Sequence, residues 1–281
     1  MKVSRKIFDA HFHVGNWGQR EYFGYQITPI IKEHNDYKDC KAYLEKYDIT
    51  LGLVVPTYLN QQEINFGYNE LIVECVEKVE NLYGGLWVSP LAEDVDFTRK
   101  TIESIENPKI KVLKMSAGTW GKYSFDPAIW NLNFQENIEY ILHQAHQKGL
   151  VLQFHTGSGN SDPLYIDKFM DHYGKEGTFH FIHMGESTAE ILKFVPRFIN
   201  WVKKGYDVYT DQVMAPTFGP QWLLHELQKL ENAVERMLFG TDSPWSSFES
   251  EYWKIEGLEI PDRIKEKIFW ENAATLYRVK S

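Results

Sequence analysis

A single (β/α)8 barrel spanning residues 1–281 is the fold this sequence predicts. Three observations lead to it. Eight short apolar runs alternate with longer amphipathic stretches from end to end. The chain, at 281 residues, falls where α/β barrels of roughly 250 residues are common. Polar, ligand-type side chains gather at the C-terminal ends of the runs, where such barrels keep their chemistry.

The runs are IFDAHFH (7–13), TLGLVVP (50–56), GGLWVSP (84–90), IKVLKMS (110–116), LVLQFH (150–155), TFHFIH (178–183), YDVYTD (206–211) and RMLFGTD (236–242). Helix-like segments lie between them, among them 69–83, 137–149 and 188–201. The second of these meets Gly149, a normal helix stop. Strands alternating with helices imply a parallel sheet, and eight is the number that closes it. No linker-like or low-complexity tract interrupts the pattern, so one domain is expected. The longest irregular stretches, 14–35 and 116–132, each follow a strand and are expected to cover the barrel mouth.

Composition narrows the function. No apolar run nears the roughly 20 residues that span a bilayer, and the N-terminus carries no apolar segment of signal type. The cytosol is the expected location, with Cys40 and Cys75 as free thiols on helices. The net charge of −9, without a basic run, argues against nucleic acid and anionic membrane as partners. A small-molecule substrate remains. Four tryptophans, Trp17, Trp120, Trp130 and Trp245, sit in apparent loops, where large aromatics are expected to wall a pocket.

The strand ends supply the chemistry. The first carries Asp9-Ala10-His11-Phe12-His13, the fourth Lys114, the fifth His155, the sixth His183 and the eighth Asp242. Side chains two apart on a strand share a face, so His11 and His13 point together and Phe12 points to the helix layer. Three imidazoles and a carboxylate suit Zn2+ or a similar divalent ion. Such an ion lowers the pKa of a bound water from about 15.7 to near 7. His183 is then left as the general acid or base, beside Asp242. His180 differs from His183 in parity, so it is expected to face helices or make a structural hydrogen bond. Asp242 has a plainer reading as an N-cap for the segment that follows it. His143 and His146 lie on a polar helix face, and His34, His172 and His225 have no evident partners.

At these residues the chain resembles the amidohydrolase superfamily. It is closest in pattern to the amidohydrolase-related group that contains aminocarboxymuconate-semialdehyde decarboxylase and pyrone-dicarboxylate hydrolase. The pieces that carry the likeness are FDAHFH, LQFHTG, FIHMG, MLFGTDSPW and the closing ENAATLYRV. The resemblance implies a distorted barrel, one metal on His11, His13, His155 and Asp242, and His183 as acid/base. It implies zinc first, manganese as the other option, and frequent homodimers. A binuclear variant with a carboxylated Lys114 is the alternative, because binuclear relatives bridge two ions with a lysine there.

The reaction expected is hydrolysis of a small cyclic or aromatic carboxylate, lactone or amide by metal-activated water. Non-oxidative decarboxylation at the same site is the alternative, and a barrel that binds without catalysis is the third reading. Arg20 is the one arginine in the loops after strands, with Lys114 and Lys122 as other cations. That is too few for a polyanionic substrate. Arg20, Lys114, Trp17, Trp120 and Trp245 are therefore the expected substrate contacts.

Overall fold

The computed structural model describes residues 5–16, 21–22, 25–26, 34–58 and 64–279, with 21–22 and 25–26 as backbone alone. Its main sheet has eight strands: β1 (Phe8–Val14), β2 (Leu51–Pro56), β3 (Leu82–Trp87), β4 (Ile110–Met115), β5 (Val151–His155), β6 (Thr178–Ile182), β7 (Asp207–Asp211) and β8 (Met237–Leu238). Each pairs in parallel with the next in chain order. Backbone bonds from the segment after β8 complete the ring. The N–H of Ala10 donates to Phe239, that of Thr241 to His11, and that of His13 to Ser243, at 2.8–3.1 Å.

Helices α1 (Tyr37–Tyr47), α2 (Gly67–Lys78), α3 (Val95–Glu103), α4 (Leu132–Lys148), α5 (Pro163–Tyr173), α6 (Thr188–Lys203), α7 (Phe218–Leu227) and α8 (Phe248–Glu256) alternate with the strands. Two short helices, α9 (Asp262–Glu266) and α10 (Asn272–Leu276), follow. Caps explain several ends. The Asn131 side chain accepts the Phe134 N–H at the start of α4, and Gly149 ends that helix in the left-handed region at φ 64°. At Gly84 a Cβ would lie 2.5 Å from Ile72 of α2, so only glycine lets helix and strand approach this closely.

Side chains alternate as a closed barrel requires. Val112 and Lys114 share one face of β4, Val151, Gln153 and His155 one face of β5, and His180 and Ile182 one face of β6. The lower barrel is filled by Phe8, Ala10, Leu53, Val55, Val112, Val151 and Leu238, with Leu276 and Tyr277 packed beneath. On the opposite face Phe154, Phe179 and Phe181 form an aromatic layer against Phe169 of α5 and Trp201 of α6.

The structure corrects several expectations. The helix expected at 69–83 ends at Lys78, because Val79 turns extended and the apolar residues from Leu82 belong to β3. Regular strand in β8 stops at Leu238, since Thr241 and Asp242 both donate to the His11 carbonyl and Asp242 is left-handed. Trp120 is fully buried between Phe125 and Phe134, and it lines a groove with Leu91, Thr119 and Lys122. Trp130 packs on Phe134 and Tyr173 with its indole N–H donated to Ser124. His180 faces the barrel interior rather than the helices, although its structural hydrogen bonds are present. No described helix is long and apolar enough to cross a membrane.

Candidate active site

The site begins with how β1 is held. The β1–β2 register slips between Asp9 and Phe12. Asp9 pins that irregularity: Oδ1 accepts the N–H groups of His11 and Thr241, and Oδ2 accepts from Tyr43 and Thr241 hydroxyls. Burial pushes its carboxyl up to about 7 despite those four donors. Phe12 packs on His34 and Tyr43, outside the barrel. His11 and His13 lie with rings 4.7 Å apart and nearly perpendicular.

Asp242 lies against both. Its Oδ1 is 2.9 Å from His11 Nε2 and 3.0 Å from His13 Nε2. It does not cap the next helix; Ser247 does. One nitrogen of His11, one of His183 and one Asp242 oxygen lie within 4.8 Å of each other. His155 stands beside them with its ring 4.9 Å from that of His183. Lys114 is almost wholly buried, and its Nζ has no hydrogen-bond partner among the described residues. Desolvation drives its pKa down to about 7, with Asp242 and Asp211 pulling the other way. Burial, and then neighbouring cations, push His11 and His183 well below the usual imidazole range and His155 down to about 3.

These residues fit a metal ion. Nδ1 of His13 lies 3.1 Å from the Pro56 carbonyl, which can only accept, so Nδ1 carries the proton. Its Nε2 then presents a lone pair toward a carboxylate oxygen 3.0 Å away. With His13 neutral, two acceptors face each other at that distance, an arrangement that a metal ion bound between them would satisfy. Both ring nitrogens of His11 are buried without a hydrogen-bond partner among the described residues. Neutral imidazoles and a carboxylate are the donor set of Zn2+ and related ions. His183, expected apart from the ligands, thus comes within reach of them, while His143, His146 and His172 line a separate surface groove.

Of the expected substrate contacts, Lys114 reaches the barrel interior and Trp245 lies half-buried just past Asp242. Trp17, Arg20, Phe23 and the side chain of Tyr22 fall outside the described residues. Sequence reasoning passed over Asp211, Gln153 and Glu186. Asp211 ends β7 and is fully buried; its position as a polar strand end was the available signal. Glu186 follows three residues after His183. Burial raises its carboxyl, and Asp242 and then Glu190 add to the rise. The motif His-Met-Gly-Glu held that signal, but no strand periodicity points to a residue in a turn.

A closed parallel barrel with histidines and an acid at the upper ends of β1, β5, β6 and β8 defines a metal-dependent hydrolase or lyase. The chain belongs to the amidohydrolase family, whose model matches residues 8–279. Comparison with curated protein sequences finds no match. Solved structures share the fold at low identity. A probable 2-pyrone-4,6-dicarboxylic acid hydrolase from Acinetobacter baumannii, with citric acid bound, is 13% identical over 97% of this chain and 99% of its own, with TM-score 0.66. A 5-carboxyvanillate decarboxylase from Novosphingobium aromaticivorans, complexed with manganese and 4-hydroxy-3-methoxy-5-nitrobenzoic acid, is 11% identical over 98% and 97%, TM-score 0.72. A 2,6-dihydroxybenzoate decarboxylase from Rhizobium is 10% identical over 99% and 100%, TM-score 0.70.

Proposed function

We propose that this enzyme hydrolyses a small, flat, cyclic carboxylate, lactone or amide. In this reading His11, His13, His155 and Asp242 hold one divalent ion, zinc or manganese, and His183 is the general base. The position of His183 carries the reading. It is buried with one ring nitrogen within 4.8 Å of the His11 and Asp242 donor atoms, and its Nδ1 has no hydrogen-bond partner among the described residues. An imidazole so placed is within reach of a water at that centre, which is the position a general base needs. The ion supplies Lewis acidity. Lys114, whose Nζ has no hydrogen-bond partner among the described residues, is the proposed contact for the substrate carboxylate or the anion formed on ring opening. Trp245 and Trp17 are the proposed apolar walls, and Arg20 the proposed second clamp.

Carboxy-lyase chemistry is the second reading, and Glu186 favours it. Loss of CO2 from an aromatic acid leaves a carbon that must gain a proton, and a carboxyl with a raised pKa near His183 is a source of one. The decarboxylases among the structural neighbours support the same reading.

A panel of aromatic carboxylates, lactones and small amides, run on zinc- and manganese-loaded protein, separates the two. Ring opening or acid release without CO2 supports hydrolysis. CO2 release without ring opening transfers the assignment to the second reading. Turnover confined to sugar phosphates or nucleotides refutes both. Arg20→Met with an unchanged KM for every carboxylate would remove Arg20 from the site.

A further inference from the structure

We infer that Asp211 is a positioning residue for His183, and that His180 braces Asp211. The inference rests on the reading of His183 as the general base. Alternation along β6 puts His180 and Ile182 on the inner face, so residue 183 should face the helices. It reaches the interior because the chain turns left-handed there, at φ 75° for His183 and 53° for Met184. Non-glycine residues take that conformation at a cost and keep it only where neighbours hold them.

The holding group is Asp211, from the next strand. Its Oδ1 accepts the His183 N–H at 3.0 Å and the Val213 N–H at 3.2 Å. Its Oδ2 lies 3.0 Å from His180 Nε2, with both side chains at 0% exposure. A carboxylate only accepts, which suits Oδ1, where two backbone donors converge; Oδ2 meets His180 Nε2 as a close contact without hydrogen-bond geometry. The other ring nitrogen of His180, Nδ1, faces the Tyr277 hydroxyl at 2.9 Å and Gln153 Nε2 at 3.2 Å. Gln153 Nε2 also reaches the Ala10 carbonyl at 3.5 Å. The end of β6 is thereby tied to β7, β5, β1 and the C-terminal segment through buried polar groups. Asp211 also bears electrostatically on Asp242, and His180 on His11, while the hydrogen-bonded route from Asp211 to His183 runs through the His183 backbone N–H.

The test uses zinc-loaded full-length protein and two readouts. Long-range 1H–15N correlation spectra should show the His183 ring signals moved in Asp211→Ala. Those of His13 and His155 should stay in place. Asp211→Asn should keep the wild-type pattern, since its Oδ1 still accepts both N–H groups. On any panel substrate that the wild type turns over, Asp211→Ala should lose ~10²-fold in kcat, the scale of a misplaced catalytic group, with KM and zinc content unchanged. Asp211→Asn should restore most of it. Unmoved His183 signals in Asp211→Ala, equal damage in the Asn variant, or parallel loss of zinc and KM would each overturn the inference. If Asp211→Ala does not fold, His180→Phe replaces it, with a smaller shift of the same signals expected and none overturning the inference. The spectra need no substrate, so a wild type inactive on the panel defeats the functional reading while the positioning role is still judged.

Discussion

Lys114 shows what burial does to one side chain. In water its ammonium would hold a proton to about pH 10.5, but inside the barrel it holds one only to about 7. The unfolded chain therefore binds more protons than the folded one between those values. Stability then rises with pH across that window and is lowest below it, where the buried amine is charged in both states. Lys114→Met should stabilise the metal-free protein at pH 7 by roughly 1–3 kcal/mol, the usual scale for removing an unsatisfied buried polar group. The gain should shrink toward pH 10 in thermal denaturation series; a gain independent of pH would show that Lys114 is paired. The ligands behave differently. His11→Ala and Asp242→Ala should each abolish most metal binding by elemental analysis, since their donor atoms lie 2.9 Å apart. His183→Asn should keep the metal and lose ~10²–10⁴ in turnover. Metal loss in that variant as severe as in His11→Ala would make His183 a ligand.

At the scale of elements, the turn after β6 is the costly piece. Residues 183–186 all have positive φ. Besides Asp211, the turn is held by Thr156, whose hydroxyl donates to the Ile182 carbonyl and accepts the Gly185 N–H at 2.7 Å. Thr156→Val keeps the shape and removes both bonds. It should cost about 1–3 kcal/mol, the penalty for leaving the buried Gly185 N–H unpaired, since the Ile182 carbonyl keeps the residue-156 N–H. Hydrogen exchange at residues 183–187 should rise sharply, while α2, packed on β2 and β3 across the barrel, stays protected. Equal loss of protection in both places would mean that the turn has no separate stability.

Across the whole molecule, closing the barrel is what assembles the donor set. The backbone bonds from 239–243 to β1 bring Asp242 against His11 and His13, which are distant in sequence. The unfolded chain has no such donor set, so binding energy adds to folding energy. Zinc at a hundred times its Kd should stabilise the protein by about 2.7 kcal/mol. A chelator should reverse the gain, and His11→Ala should show none in the same melting experiment. An equal rise in the variant would place the metal elsewhere.

Much of this was legible along the chain. The period of two in FDAHFH put His11 and His13 on one face, Gly149 marked the end of α4, and eight apolar runs marked eight strands, because each signal depends only on near neighbours. What needed the fold was everything across strands. Trp120 reads as a loop aromatic until α4 supplies Phe134 to bury it. His180 and His183 differ in parity, and only a left-handed turn held by Asp211 from another strand turns both inward. The lowered pKa of Lys114 has no trace in IKVLKMS, because desolvation is a property of what surrounds a side chain. Local periodicity determined which residues could share a face; the closed barrel decided which of them meet.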